Sequence, residues 1–224
     1  MHLSKLLEKK KRSILLVDDH PVFRRGLADL LNQEADFEVS GQAANYAEAL
    51  DAVRRESFDL VIVDIGLGDT ADGLELIKSI KAEQPKTAIL VMSVRDEALY
   101  DGRALRAGAL GYIMKRESIE CVLSASRCVF GGDVYLSPVM TKRFIHKQVH
   151  GSSELGEGVD LLTDRELEVF HLIGHGGEMR KIARNLNLSV KTVEAHRERI
   201  KQKMDFASSH ELAHFATHWM AEQR

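Results

Sequence analysis

From residue 13 to residue 131, short apolar runs of strand length alternate with stretches whose apolar residues recur every three or four positions. The runs are ILLV (14–17), EVSGQA (38–43), LVIVD (60–64), AILVMS (88–93) and LGYIMK (110–115). ILLV is apolar without alternation, as in strands covered on both faces of a parallel sheet. The helical stretches fall at 21–33, 46–55, 73–83, 96–107 and 118–130. In the last of these, Ile119, Val122, Leu123, Ser126, Val129 and Phe130 make the expected core stripe. Strand and helix in alternation with short connections predict an α/β doubly wound domain with a five-stranded parallel sheet. Ligands of such sheets bind outside the carboxyl ends of the strands.

Beyond residue 131 the pattern changes. The stretch GSSELGEGVD (151–160) is rich in Gly, Ser and acids, carries little to bury, and reads as a linker. A short extra helix is expected before it, at 138–149. From Leu161 onward no strand signal is present. Thr163 with Glu166 forms a capping box that opens a helix over 167–174. A second helix follows at 180–186. Ser189 caps a third, which carries Val193, Ile200 and Met204 inward, and 209–221 makes a fourth. The expected organisation is therefore a basic tail (1–12), an α/β domain (13–131), a linker with a short helix (132–160) and an all-α four-helix domain (161–224).

Composition narrows the class. Of the 224 residues 44% are hydrophobic and 29% charged, the balance of an ordinary soluble globular protein. No apolar run approaches the roughly 20 residues needed to span a bilayer, and no signal core follows the basic start MHLSKLLEKKKRS. A cytoplasmic protein without membrane contact is expected. Cys121 and Cys128 are too few for a disulfide framework, and their spacing suits one helix face. The net charge of −3 argues against a nucleic-acid partner only on average. Between Arg180 and Lys203 lie eight basic residues and only two acids, Glu194 and Glu198. Such a local positive stripe suits a polyanion.

The carboxyl-end rule gathers the candidate chemistry. The first strand ends at Asp18–Asp19, the third at Asp64, the fourth at Ser93, and the fifth runs through Tyr112 to Lys115. Three converging carboxylates should bind a hard divalent cation such as Mg²⁺. Asp64 is then placed to attack a phosphoryl donor, with Lys115 and the metal balancing the phosphate charge and Ser93 as a hydrogen-bond partner.

Together LLVDDH, VIVDIGL, MSVRD and GALGYIMK resemble the receiver domain of bacterial two-component response regulators over about residues 13–131. The resemblance implies that Asp64 is phosphorylated by a histidine kinase. It implies that Asp19, Asp64 and the Gly66 carbonyl bind Mg²⁺, with Asp18 acting through water. Ser93 and Tyr112 would be the switch residues and Lys115 the phosphate-binding cation. One loop departs from the family: DIGLGDTADG has Gly68 where Pro is usual, and one residue more before Asp72-Gly73. A more flexible loop and altered phosphorylation kinetics are expected there.

Residues 161–204 resemble the LuxR-type DNA-binding domain of NarL/FixJ regulators, on Leu162-Thr163, Glu166, Glu168-Val169, Gly176, Ile182-Ala183, Leu186, Ser189, Lys191-Thr192-Val193, His196 and Ile200. The resemblance implies a third helix that enters the major groove of promoter DNA. With Val193, Ile200 and Met204 inward, Lys191, Glu194, Ala195 and Glu198 face outward on the half where bases are read. Lys191, His196, Arg197, Arg199, Lys201 and Lys203 are better placed for phosphates, and Thr192 completes the candidate DNA-binding set. At GGEMRKIA the family pattern is broken by Gly177, Glu178, Met179 and Lys181, which alters the turn and its capping.

HELAH (210–214) matches the zinc-protease pattern H-E-x-x-H, and His218 continues it. After it there is little room for a further ligand or a substrate cleft, so no zinc enzyme is expected. The sequence therefore predicts a non-enzymatic, DNA-binding response regulator that dimerises on phosphorylation, with RNA polymerase as a further partner. Cys121, Ala125 and Cys128 are a candidate dimerisation strip. Two rivals are a phosphorylation-independent docking or DNA-binding protein with a degenerate receiver, and a sink that only drains phosphoryl groups from a kinase.

Overall fold

The structure, a computed structural model of the chain, describes residues 11–67, 73–95, 97–150, 156–159 and 161–222. The Gly68 departure and Asp72 lie outside the described residues. The chain divides into two compact units, Met1–Met140 and Thr141–Arg224.

In the first unit the strands are β1 (Arg12–Val17), β2 (Phe37–Ala43), β3 (Leu60–Val63), β4 (Ala88–Ser93) and β5 (Gly111–Met114). The helices are α1 (Pro21–Asn32), α2 (Tyr46–Arg55), α3 (Gly73–Glu83), α4 (Glu97–Ala107) and α5 (Ile119–Phe130). All strand pairs are parallel, in the order β2-β1-β3-β4-β5. The inner strands β1, β3 and β4 are buried on both faces, so their sequences run apolar without alternation. Edge strand β2 instead alternates buried and exposed positions. The other edge, β5, is wholly buried because the chain after α5 returns to it. Gly111 bridges Tyr135, and the Tyr135 N–H donates to the Leu110 carbonyl at 2.8 Å.

One face of the sheet builds a core with α1 and α5. Ile14, Leu16, Leu60, Ile62, Leu90, Met92 and Ile113 meet Leu27, Ala28 and Leu31 of α1 and Val122, Ala125 and Val129 of α5. This corrects the candidate dimerisation strip. Ala125 is fully buried, because Val122, Ala125, Ser126 and Val129 form the inward row of α5, and Cys121 and Cys128 only flank it. Cys121 Sγ instead lies 3.1 Å from the Tyr135 hydroxyl. Arg at position 125 would test core packing, not an interface.

The second unit is helical. Its elements are α6 (Pro138–His150), which begins within the first unit, α7 (Gly156–Val159), α8 (Asp164–Gly174), α9 (Met179–Asn185), α10 (Val190–Lys203) and α11 (Ser209–Glu222). Val159, within the stretch read as linker, is buried, and Gly158 packs closely on Met204. Leu167, Val169, Phe170, Ile173, Ile182, Ala183, Val193, Ile200, Leu212, Ala216 and Trp219 form the core. Phe170 meets Trp219 edge-on at 5.7 Å between ring centres. Among the described residues no helix is long and apolar enough to cross a membrane.

Candidate functional site

At the carboxyl ends of β1, β3, β4 and β5 the structure brings Asp18, Asp19, Asp64, Ser93 and Lys115 together. Asp64 is only 2% exposed and follows β3 directly. One of its oxygens, Oδ1, accepts from Ser93 Oγ at 2.8 Å and from the Gly66 N–H at 2.9 Å. The other, Oδ2, lies 2.6 Å from Lys115 Nζ, which also reaches Asp18 Oδ2 at 2.7 Å. Burial works against the Lys115 charge, but the bonds to Asp18 and Asp64 outweigh it and raise its pKa. The ammonium also sits 4.7 Å above the Phe23 ring centre.

Gly73 is a position the site cannot yield. A Cβ there would stand 2.3 Å from Ile65 Cα and 2.9 Å from the Asp64 carbonyl oxygen. The start of α3 therefore closes against the backbone of Asp64 and Ile65 only with glycine.

The donor set suits a hard cation. Ligand atoms of Asp18, Asp19, His20 and Asp64 lie within 4.8 Å of one another. Asp19 Oδ1 is enclosed yet accepts no hydrogen bond, although His20 Nδ1 stands 2.7 Å away. Three carboxylates against one ammonium leave surplus negative charge, so the residues fit Mg²⁺. His20 was missed from sequence; its place directly after the Asp pair in VDDHP was the available signal.

Tyr112 is fully buried, and burial raises the pKa of its phenol. The hydroxyl donates to the Arg95 carbonyl at 2.9 Å, while Arg95 Nη1 donates to the Tyr100 hydroxyl at 2.8 Å. Arg95 thus joins the two tyrosines, a link with no sequence signature.

In the second unit, α9 and α10 are joined by Asn187 in the left-handed region (φ 52°), which Asn tolerates better than most residues. Ser189 caps α10, accepting from the Thr192 N–H at 3.0 Å. By contrast Glu178, the N-cap of α9, makes no side-chain cap bond, so the departure at GGEMRKIA leaves that helix start without one. On α10, Lys191, Glu194, Ala195, Glu198 and Arg199 are exposed, and Thr192, Arg197 and Lys201 are half-buried. Glu198 is held by Lys201 at 2.9 Å, with Arg197 Nε at 3.6 Å.

Two candidates for phosphate contact are engaged inside the unit. Lys203 Nζ lies 2.7 Å from Glu166 Oε2, and Glu166 is 3% exposed. Burial favours the neutral Glu166 acid, but bonds from Lys203 and Thr163 outweigh it and lower its pKa. Half-buried His196 has its pKa lowered by burial first and by Arg199 next; its enclosed Nδ1 has no hydrogen-bond partner among the described residues. Both depressed groups stabilise the fold above their unfolded pKa values. The second unit should therefore lose stability as pH falls below about 6.5 through the histidine and below about 4.5 through the glutamate. Lys203→Ala should cost about 2 kcal/mol at neutral pH. That is less than for a fully buried pair, because the Lys203 side chain is 35% exposed. Urea unfolding followed by the fluorescence of Trp219, the single tryptophan, measures it. An unchanged midpoint would return Lys203 to the phosphate-contact set.

On α11, His210, Glu211, His214 and His218 are exposed. The Glu211 carboxylate accepts from the Ala207 N–H at 2.9 Å, and the Glu211 N–H donates to Ser208 Oγ at 3.1 Å, so the H-E-x-x-H glutamate serves the helix start.

The family relations agree with this geometry. Residues 14–127 match "Response regulator receiver domain", and residues 160–216 match "Bacterial regulatory proteins, luxR family". The oxygen regulatory protein NreC of Staphylococcus carnosus is 36% identical over 207 residues, 91% of this chain and 95% of that protein. A LuxR-family two-component response regulator from Aurantimonas sp. SI85-9A1 is 27% identical, with a TM-score of 0.58 over 62% of this chain and 99% of that one. RcsB from Salmonella enterica serovar Typhimurium, solved bound to promoter rprA with phosphomimetic BeF3-, shares the fold at 20% identity and a TM-score of 0.58, over 92% of this chain and 98% of that one. The chain thus belongs to the LuxR-type response regulators, in which a receiver domain is joined to a helix-turn-helix DNA-binding domain.

Proposed function

We propose that Asp64 accepts a phosphoryl group from a partner histidine kinase and that this step controls dimerisation and promoter binding in the cytoplasm. The observation that carries the reading is the setting of Asp64, a buried carboxylate held between the Ser93 hydroxyl and the Lys115 ammonium. A carboxylate oxygen attacks phosphorus as the bond to the donor nitrogen breaks. Lys115 then balances the charge gained by the phosphoryl oxygens, and Ser93 turns its hydroxyl from the carboxylate to one of them. Asp19, Asp64 and the Gly66 carbonyl, with Asp18 through water, would hold Mg²⁺, which when bound supplies charge neutralisation and orientation of those oxygens. The displaced Ser93 and the neighbouring Tyr112 are the two-state element. The receiver promotes its own phosphoryl uptake and loss; otherwise the protein is a regulator, with RNA polymerase as the partner downstream.

For DNA, Thr192, Glu194, Ala195 and Glu198 present the base-reading surface of α10. Lys191, Arg197, Arg199 and Lys201 supply phosphate contacts. The RcsB complex with its promoter supports this use of the shared fold. The test is binding of the full-length protein to duplexes selected in vitro, with and without acetyl phosphate and Mg²⁺, across a salt series. Phosphorylation should tighten binding, and Lys191→Ala should lower the salt slope by about 0.9 without changing stability. Equal affinity in both states would favour the phosphorylation-independent reading.

A further inference from the structure

The last turn of α8 carries a feature that neither phosphoryl transfer nor DNA recognition uses. His171 and His175 are one turn apart, and their Nε2 atoms approach to 3.2 Å. The rings meet edge-to-face with centres 4.5 Å apart. His175 is exposed and His171 half-buried. We propose that this pair chelates a divalent transition metal, zinc by its geometry, and so ties down the end of α8.

Three observations converge on it. Spacing of i and i+4 on a helix places two imidazoles on one face, an arrangement proteins use to hold zinc. At a Zn–N distance of about 2.0–2.1 Å, nitrogens 3.2 Å apart subtend roughly 100–106° at the metal, close to the tetrahedral angle. A square-planar ion would draw them nearer, to about 2.9 Å at the same bond length. The pair also sits at the carboxyl end of α8, where His175 is the C-cap and the helix dipole favours positive charge.

The chemistry balances without a redox step. In the 3.2 Å contact one Nε2 donates its proton to the other. On metal binding the donating ring moves that proton to Nδ1, and both Nε2 lone pairs turn to the ion. Two water molecules complete the coordination, because among the described residues no third His, Cys, Asp or Glu joins the pair within 4.8 Å. The consequence is local. His175 leads into Gly176 (φ 72°) and Gly177, the turn that delivers the chain to α9, the first helix of the helix-turn-helix. Fixing His175 to His171 restrains that turn, so zinc should stabilise the DNA-binding unit.

The experiment is a zinc titration of the full-length protein against a chromogenic chelator. Millimolar Mg²⁺ is present to keep zinc from the acidic cluster. The variants are His175→Gln, the double variant with His171→Gln, and His214→Gln on the separate α11 stripe. Circular dichroism verifies that each is folded. Micromolar binding of one zinc is expected in the wild type, weakened at least tenfold by His175→Gln, lost in the double variant and retained in His214→Gln. Zinc should also raise the Trp219-monitored melting midpoint of the wild type but not of His175→Gln. No micromolar binding, binding indifferent to His175→Gln, or binding lost in His214→Gln overturns the proposal.

Discussion

Asp64→Ala takes up no phosphoryl group from acetyl phosphate and Mg²⁺, whereas the wild type gains one by intact-mass analysis: that is the expected result. The effect is all-or-none because the variant lacks the attacking oxygen, and no other carboxylate is held by both Ser93 and Lys115 among the described residues. The same substitution should leave stability within about 1 kcal/mol of wild type. Ser93 and Gly66 lose an acceptor, a cost of about 1 kcal/mol each. Against this, Asp18 and Asp64 now share a single ammonium, and removing one of them relieves like-charge repulsion and leaves a matched pair. Activity lost with stability kept would mark Asp64 as a residue held for function at the expense of stability. A phosphoryl group still added to Asp64→Ala would move the acceptor elsewhere. A wild type that gains none would leave a receiver that needs its own kinase or one with a degenerate site.

Lys115→Met has the opposite profile. Its ammonium lies within 2.7 Å of two carboxylates that are 5% and 2% exposed, and Met removes the charge while keeping much of the volume. Stranding buried charges costs about 3–5 kcal/mol, and we expect about 3 kcal/mol at pH 7.5 by urea unfolding. The sign of the pH dependence is fixed. Two close carboxylates without their cation hold a proton more tightly than in the unfolded chain. Their folded pKa is raised, so this stabilisation is present at low pH and lost as pH rises. The deficit should therefore shrink toward pH 5 and grow toward pH 8. Millimolar Mg²⁺ should reduce it at pH 7.5, since a cation bound only by the folded state supplies the missing charge. A deficit independent of both pH and Mg²⁺ would show that Lys115 contributes packing alone.

How far the sequence reached depends on the range of the interactions concerned. Strand and helix positions were legible because they follow from periodicity within one segment. Strands 14–17 and 88–93 and helices 46–55 and 73–83 coincide with the core of β1, with β4, with α2 and with α3. The site residues were legible at one remove. A parallel sheet places all its strand ends on one side, so Asp18, Asp19, Asp64, Ser93 and Lys115 must meet once the strands are assigned.

Facing directions across elements were another matter. Ala125 is small enough to read as part of a surface strip, and only packing against the sheet shows that its position points inward. Lys203 carries the same charge as its exposed neighbours on α10. Nothing within its own helix reveals Glu166, 37 residues earlier, as its partner. His20, the Arg95 bridge between Tyr100 and Tyr112, and the close approach of His171 to His175 depend on rotamers and distances that spacing alone does not fix. By itself the sequence determined the elements, their order and the chemistry at the strand ends, because hydrophobic period and backbone topology are carried residue by residue. The tertiary structure alone decided which charges are neutralised inside the fold and which face outward, because burial and pairing are set by side chains from distant segments.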